Sequence, residues 1–337
     1  NQNTQTTNMQ LASKYYQNGE YDKALTLYED LYNSTGYKNY RDMYLSCLSL
    51  TAQFDAAEKF LRKELKKKKN DINLMIDLAV VLQKTNRKTE SDEYFQKAKE
   101  LALANESSVQ STATALRVYR QHQQLIDLYL EAKKKYPLNN YDLEIADIYA
   151  SLGDYAQMMD YFFSSISSST MSRIEARLTS IVASDENGTA TGIIEKAIIE
   201  KSQKAPNSEL VNNLLVWLYV QTYRNKLALN QLIAFHKRRG TNDTEIYNFA
   251  NSMANAEEYD IAVSAYDYLA KLKNKSSLSA DAYLGYLNVK YLQIVAQINP
   301  DRAELERLDS LMSASLNEET PKDSYQIILS QAKIKSY

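Results

Sequence analysis

An all-α solenoid of about eight stacked helix pairs, closed by a helical C-terminal cap, is the fold class this sequence predicts, and three observations predict it. Gly and Pro are scarce, seven and four in 337 residues. A sheet sandwich, a barrel or a Gly-rich nucleotide fold of this size needs many more turn residues. Two independent columns of residues repeat along the chain with one and the same step. Between repeats the apolar residues fall at helical spacing, one face of a 3.6-residue period.

The first column is large: Tyr28, Leu61, Phe95, Tyr129 and Phe162, resuming at Leu232 and Tyr266. Its steps are 33, 34, 34 and 33, then 70 and 34, and Ile198 divides the wide interval. The second column is mostly small: Ala12, Leu45, Ala79, Ala113, Ala146, Val216 and Ala250, with identical steps. Small residues at a fixed place let two helix backbones approach closely.

The elements follow in order. Residues 1–5 open a polar run, Asn1 to Thr7, and are expected to lack order. The solenoid runs over 6–275. In its first unit, 6–36, Leu11, Ala12, Tyr15 and Tyr16 form one stripe and Ala24, Leu27, Tyr28 and Leu31 the next. Asn18 to Tyr21 turn between them, with Gly19 at a helix end where positive φ is cheap only without a Cβ. Units 38–70, 72–104, 106–137 and 139–168 repeat the plan, and Gly153 takes the place of Gly19 in the fifth. The sixth unit, 170–206, is irregular, with helices near 171–183 and 191–204. The Ser164 to Thr170 run reads as the joint before it. Units 210–240 and 243–275 regain the register. Residues 278–337 form the cap. They comprise a long helix over 278–298, a second opened by Asn299-Pro300-Asp301 with proline in its first turn, and a third after Thr320-Pro321-Lys322-Asp323. A stack of repeats needs such a terminal piece to present a polar outer face.

Leu11-Ala12, Tyr15, Gly19, Tyr21, Ala24, Tyr28 and Leu31 recur as Leu78-Ala79, Leu82, Phe95 and Ala98, and as Ala113, Leu116, Tyr129, Ala132 and Pro137. They recur again as Ile145-Ala146, Tyr149, Gly153, Tyr155 and Phe162, and as Phe249-Ala250, Met253, Tyr259, Ala262, Tyr266 and Leu269. Over residues 8–270 this pattern resembles the tetratricopeptide repeat (TPR) family, whose period is 34 residues, and in particular bacterial TPR-containing proteins. Lys88 and His122 replace the family's turn aromatic, and Leu125 and Met158 a small residue. The resemblance implies a right-handed α-α superhelix that binds a segment of a partner protein in its concave groove. Some members clamp a C-terminal carboxylate with Lys and Asn. Here Met9 and Ser13 stand at the first clamp positions, so that activity is not carried over.

Chemistry is sparse. Forty Lys and Arg against 42 Asp and Glu leave a net charge of −2, which argues against a protein built to hold nucleic acid. No apolar run approaches the ~18 residues of a membrane span. The single cysteine, Cys47, rules out an internal disulfide and a multi-cysteine metal site. His122 falls in a packing column, and His236 lies at a helix end, where a cation suits the dipole. There is no phosphate loop, nucleophile elbow or zinc-protease motif. Asp185 to Thr189 lack the sixth-place Gly and twelfth-place Glu of a calcium loop. The expectation is a non-enzymatic protein without cofactor or metal.

Groove residues are expected one place after the small column and three or four places further on. This selects Met9, Ser13, Tyr16, Gln17, Ser46, Ser49, Ile76, Val80, Gln83 and Lys84, then Thr114, Arg117, Asp147, Asn213, Trp217, Gln221, Tyr247, Asn251 and Asn255. The set is rich in amides and hydroxyls with scattered aromatics, which suits an extended peptide. Positive charge ends the second helices, at Lys66, Lys67, Lys68 and Lys69, at Lys133, Lys134 and Lys135, and at Lys237, Arg238 and Arg239. It serves either dipole compensation or a basic rim for an acidic surface. The composition and the polar opening suggest a bacterial envelope protein, periplasmic or outer-membrane-associated after removal of a signal peptide, with a cytoplasmic setting as the alternative. A glycan-binding envelope protein, drawing on the 27 Tyr, and the regulatory TPR part of a longer protein are the other readings.

Overall fold

The computed structural model describes residues 2–316 and 324–334. Among them the chain is helical throughout and has no strand. Eight helix pairs follow one another: α1 (Gln2–Gln17) with α2 (Tyr21–Thr35), α3 (Lys38–Leu50) with α4 (Phe54–Lys67), α5 (Ile72–Lys84) with α6 (Lys88–Ala102), and α7 (Glu106–Val118) with α8 (His122–Lys135). Then come α9 (Asp142–Ser151) with α10 (Tyr155–Ser165), α11 (Met171–Ser184) with α12 (Thr189–Lys204), α13 (Glu209–Gln221) with α14 (Asn225–Arg239), and α15 (Asp243–Asn255) with α16 (Tyr259–Ala270). A 3-10 turn at Lys273–Lys275 leads to α17 (Ser279–Val295), α18 (Arg302–Leu316) and α19 (Ser324–Ile334). The fold is all-α and of the helix-pair solenoid class. The chain divides into two compact units, Asn1–Ile148 and Tyr149–Tyr337.

Every member of the large column is buried, from Tyr28 and Leu61 through Phe95, Tyr129, Phe162, Ile198 and Leu232 to Tyr266. In the first unit Tyr28 and Leu61 join Ala12, Leu31, Leu48, Leu74, Leu78 and Leu82 in a continuous core. Ala79 is fully enclosed, and Ser91 on α6 donates its hydroxyl to the Ala79 carbonyl at 2.7 Å. In the second unit, Leu232, Ile246, Phe249, Ala250, Met253 and Tyr266 form one core, and Leu287, Ile294, Leu308, Met312 and Ile327 a second that binds α17 to α19.

One turn geometry closes seven of the eight pairs. Gly19, Ala52, Asn86, Arg120, Gly153, Tyr223 and Glu257 all have positive φ, between 52° and 78°. In each, the next residue donates its N–H five places back, as in Glu20 to Tyr15, Gln53 to Leu48 and Arg224 to Tyr219. This is a Schellman clasp, which satisfies a carbonyl the helix would leave unpaired. Only two of the seven residues are glycine, so five accept backbone strain. The sixth pair differs. Gly188 takes the left-handed conformation ahead of α12, and the Asp185 carboxylate accepts the Thr191 N–H at 2.7 Å. The serine run before it is a compact joint in which the Thr170 hydroxyl donates to the Ser165 carbonyl at 2.7 Å.

Four expectations are corrected or fall outside the described residues. The opening expected to lack order is helical from Gln2; it holds no Gly or Pro to stop a helix already nucleated further on, and propagation is cheap. Val216 is only half-buried, because the core face of α13 is rotated onto Leu214, Leu215 and Leu218. Asn299 and Pro300 precede α18 rather than begin it, and Asp301 caps it by accepting the Ala303 N–H at 2.9 Å. The Thr320 to Asp323 cap lies outside the described residues.

Candidate functional site

The first unit carries a hollow of about 420 Å³ lined by its first helices α3, α5 and α7, with Phe54, Ala57 and Leu61 of α4 behind them. Ser46, Ser49, Val80 and Thr114, all expected in the groove, share it. So do Leu45, Val81, Ala115 and Val118, which give it an apolar wall, and Asn73 and Ser111, which add polar groups. Small-molecule and segment-binding hollows have this mixed lining and span ~300–1,000 Å³.

Its floor is a charged network that the sequence reading missed. Arg41 is buried and donates from Nε and Nη2 to Asp42 Oδ1 at 3.1 and 2.9 Å. Its Nη1 and Nη2 each lie 3.9 Å from a further carboxylate, Asp71 and Asp77. Lys38 pairs with the other oxygen of Asp42. Asp71 also caps α5 by accepting the Leu74 N–H. The Tyr119 hydroxyl, from the end of α7, donates to Asp77 Oδ1 at 2.7 Å. Burial of Asp77 dominates its environment and pushes its carboxyl up to about 6, against the pull of Tyr119 and Arg41. Burial and the Asp77 charge in turn hold the Tyr119 proton well above the usual phenol range. The network therefore ties α3, α5 and α7 together beneath the groove. A backward step from Ser46 or Val80 by three, four or seven residues would have found Asp42, Asp77 and Asn73; Arg41 carries no such signal.

The other expected groove residues are scattered. Met9, Gln17 and Lys84 are exposed along α1 and α5. Tyr16 is half-buried, its hydroxyl 2.9 Å from Ser46 Oγ. Gln83 is held by Gln121 through two amide bonds of 3.1 and 3.2 Å. Arg117 donates to the buried Tyr129 hydroxyl at 2.7 Å. Ile76 is a correction. It is fully buried, facing α6, α7 and α8 rather than the groove, because Leu74 to Ala79 are buried on all sides of α5.

In the second unit, Tyr247, Asn251 and Asn255 share a smaller hollow of about 260 Å³ with Tyr266 and with Asp281, Gly285 and Asn288 of α17. Asn251 accepts from the Tyr266 hydroxyl. Gly285 permits this close approach, since a Cβ there would meet the Tyr266 ring at 2.7–3.0 Å. Asn213 and Trp217 are half-buried and Gln221 exposed on α13, outside this hollow.

The basic residues also divide. Lys66, Lys68, Lys69, Lys134, Lys135, Lys237, Arg238 and Arg239 are exposed. Lys67 is tied to Glu64 at 2.7 Å and Lys133 to the buried Asp142 at 2.6 Å, so these two are spent within the fold. His236 is buried, its Nε2 2.7 Å from Asp243 and its Nδ1 2.8 Å from the Tyr268 hydroxyl, which makes it a cross-link between α14, α15 and α16. Among the described residues no three His, Cys, Asp or Glu side chains are placed to hold a metal ion. No described helix is long and apolar enough to cross a membrane.

No protein-family profile matches this chain, and no characterised protein matches it in sequence. Solved structures are similar to it in fold at low identity. Naa15/Naa10 bound to HypK-THB is 14% identical over 99% of this chain and 56% of that one, with a TM-score of 0.30. Yeast Tom70 is 10% identical over 99% and 96%, with a TM-score of 0.28. The APC/C hetero-tetramer Cut9–Hcn1 is 10% identical over 82% and 54%, with a TM-score of 0.29. The chain spans little more than half the length of the first and third. The fold assignment rests on the helix pairs of this chain themselves.

Proposed function

We propose that the chain is a non-catalytic scaffold that holds an extended segment of a partner protein in the groove of its first unit. The carrying observation is the hollow between α3, α5 and α7. There Ser46, Ser49, Ser111, Thr114 and Asn73 line the same space as Val80, Val81 and Val118. Hydroxyls and amides suit the backbone of an extended peptide, and the apolar wall suits its side chains. The network around the buried Arg41 and Asp77 links the three helices below the hollow, so less ordering is left for the moment of binding.

A photo-crosslinking residue placed at Val80 or Ser49 tests this. Adducts with a protein segment should form there and not from the same residue at Gln96, which stands on α6 outside the hollow. Val80→Asp should abolish them. Equal adducts at both places, or none with protein and binding to a glycan array instead, would turn the assignment to another face or to sugar. The glycan reading draws on exposed Tyr, and the most exposed, Tyr37 and Tyr223, line neither hollow.

A further inference from the structure

We propose that one edge of the first unit, formed by the ends of α2, α4, α6 and α8, docks on an anionic lipid surface. Short turns make successive helices antiparallel, so these four second helices end on the same side of the unit. Neighbouring ends touch there: Tyr32 on α2 donates to Glu64 on α4, and Tyr136 after α8 donates to the Leu103 carbonyl after α6, both at 2.7 Å.

The edge carries Lys66, Lys68 and Lys69 at the end of α4 and Lys134 and Lys135 at the end of α8. All five are exposed, and none is in an ion pair among the described residues. The acids that could neutralise them are occupied. Glu64 is buried with Lys67 and Tyr32, Asp142 is buried with Lys133, and Asp71 caps α5. Glu100 and Glu106 remain exposed, both beside the end of α6 between the two clusters. The loops of this edge also hold two large apolar groups in water: Leu138, 99% exposed, stands three residues past Lys135, and Tyr37, 66% exposed, ends the α2 loop.

Lysines around a bare leucine supply the two signals that stable membrane attachment needs, charge attraction and apolar insertion. The clusters contain no Arg to fork onto a phosphate or a guanine. The helix N-termini that share this edge at α5 and α7 are capped by the Asp71 and Asn105 side chains rather than open to a discrete anion. A diffuse negative plane fits these features better than a single phosphorylated or nucleic-acid ligand. Its attraction acts only within about 8 Å at physiological salt, so it does not conflict with the net charge of −2.

Flotation with vesicles of phosphatidylcholine alone, and of phosphatidylcholine with about a third phosphatidylglycerol, tests the proposal. The whole chain should float with the anionic vesicles only, and rising salt should release it. Replacing Lys66, Lys68 and Lys69 together by Gln should lower partitioning by about tenfold or more, with the melting midpoint as the check on folding. Leu138→Ser should lower it several-fold while leaving retention on heparin unchanged. Val80→Asp should float like the parent protein, which separates this surface from the groove. Equal partitioning to both vesicles, or indifference to the lysine substitutions, overturns the proposal. So does salt-sensitive binding to heparin or duplex DNA without any flotation, which would make the edge a site for a soluble polyanion.

Discussion

Ile76 and Val80 stand one helical turn apart on α5 and belong to different surfaces. Ile76 is fully buried among α6, α7 and α8, whereas Val80 is half-buried on the groove. Ile76→Ala should therefore cost about 2–5 kcal/mol, and Val80→Ala about 1 kcal/mol or less, read from urea midpoints. Between them Asp77 makes stability depend on pH. Its folded-state carboxyl titrates at about 6 because it is buried, above the ~3.9 of an unfolded chain. The folded state then holds its proton more tightly, so the stability Asp77 contributes is full below about pH 4 and is lost as pH rises to about 6. Asp77→Asn keeps an acceptor for Tyr119 and removes the buried charge. Its midpoint should exceed the parent's at pH 7.5 by the equivalent of about 2 kcal/mol, and the difference should shrink at pH 5. These residues also show what single positions reveal. Ser46, Val80 and Thr114 were legible because helical spacing from the small column points to one face. Arg41 was not, because Arg is almost never buried unless paired, and its carboxylates come from α3, α5 and the loop before α5.

The helices read near 171–183, 191–204 and 278–298 lie within about three residues of α11, α12 and α17, since the stripes and their interruptions are properties of adjacent residues. The clasp that closes seven of the eight pairs was visible only at Gly19 and Gly153. At Ala52, Asn86, Arg120, Tyr223 and Glu257 the same backbone conformation is imposed by packing on residues with no preference for it. Tyr223 is the clearest case, with φ of 57° and a side chain 92% exposed that loses little contact on removal. Tyr223→Gly should relieve the strain and stabilise by about 1 kcal/mol, after the extra chain entropy of Gly is counted; an unchanged or lower melting midpoint would mean the ring is held by contacts. Ala79→Trp tests the opposite limit. With Ala79 enclosed and its carbonyl bonded to Ser91, overpacking should cost about 1–3 kcal/mol or more, against little for Lys68→Ala. The misjudged face on α13 has a cause in the element itself: Leu214, Leu215 and Leu218 offer a broader apolar surface than Val216, and the helix turns to bury it.

Across the whole molecule, stability is a sum of helix pairs and their nearest-neighbour contacts. The period announced this organisation, while the division into units at Ile148 and Tyr149 lies inside a helix with no break in composition. Trp217, the single tryptophan, reports on the second unit. In urea, Ile76→Ala should lower the ellipticity midpoint while shifting the Trp217 emission midpoint by less, because perturbations fade from pair to pair. Equal shifts would show one cooperative block. The recurring clasp has a further meaning at this scale, as a splice point. Deleting residues 87–120 joins Asn86 to Gln121, and Gln121 inherits the bond that Arg87 now donates to the Leu82 carbonyl. The cut removes one period and leaves Leu61 followed by Tyr129 in the buried column. A chain in which seven of eight links fasten alike can gain or lose one of them without relearning how to fold, so its length and its groove can vary as a count of interchangeable parts.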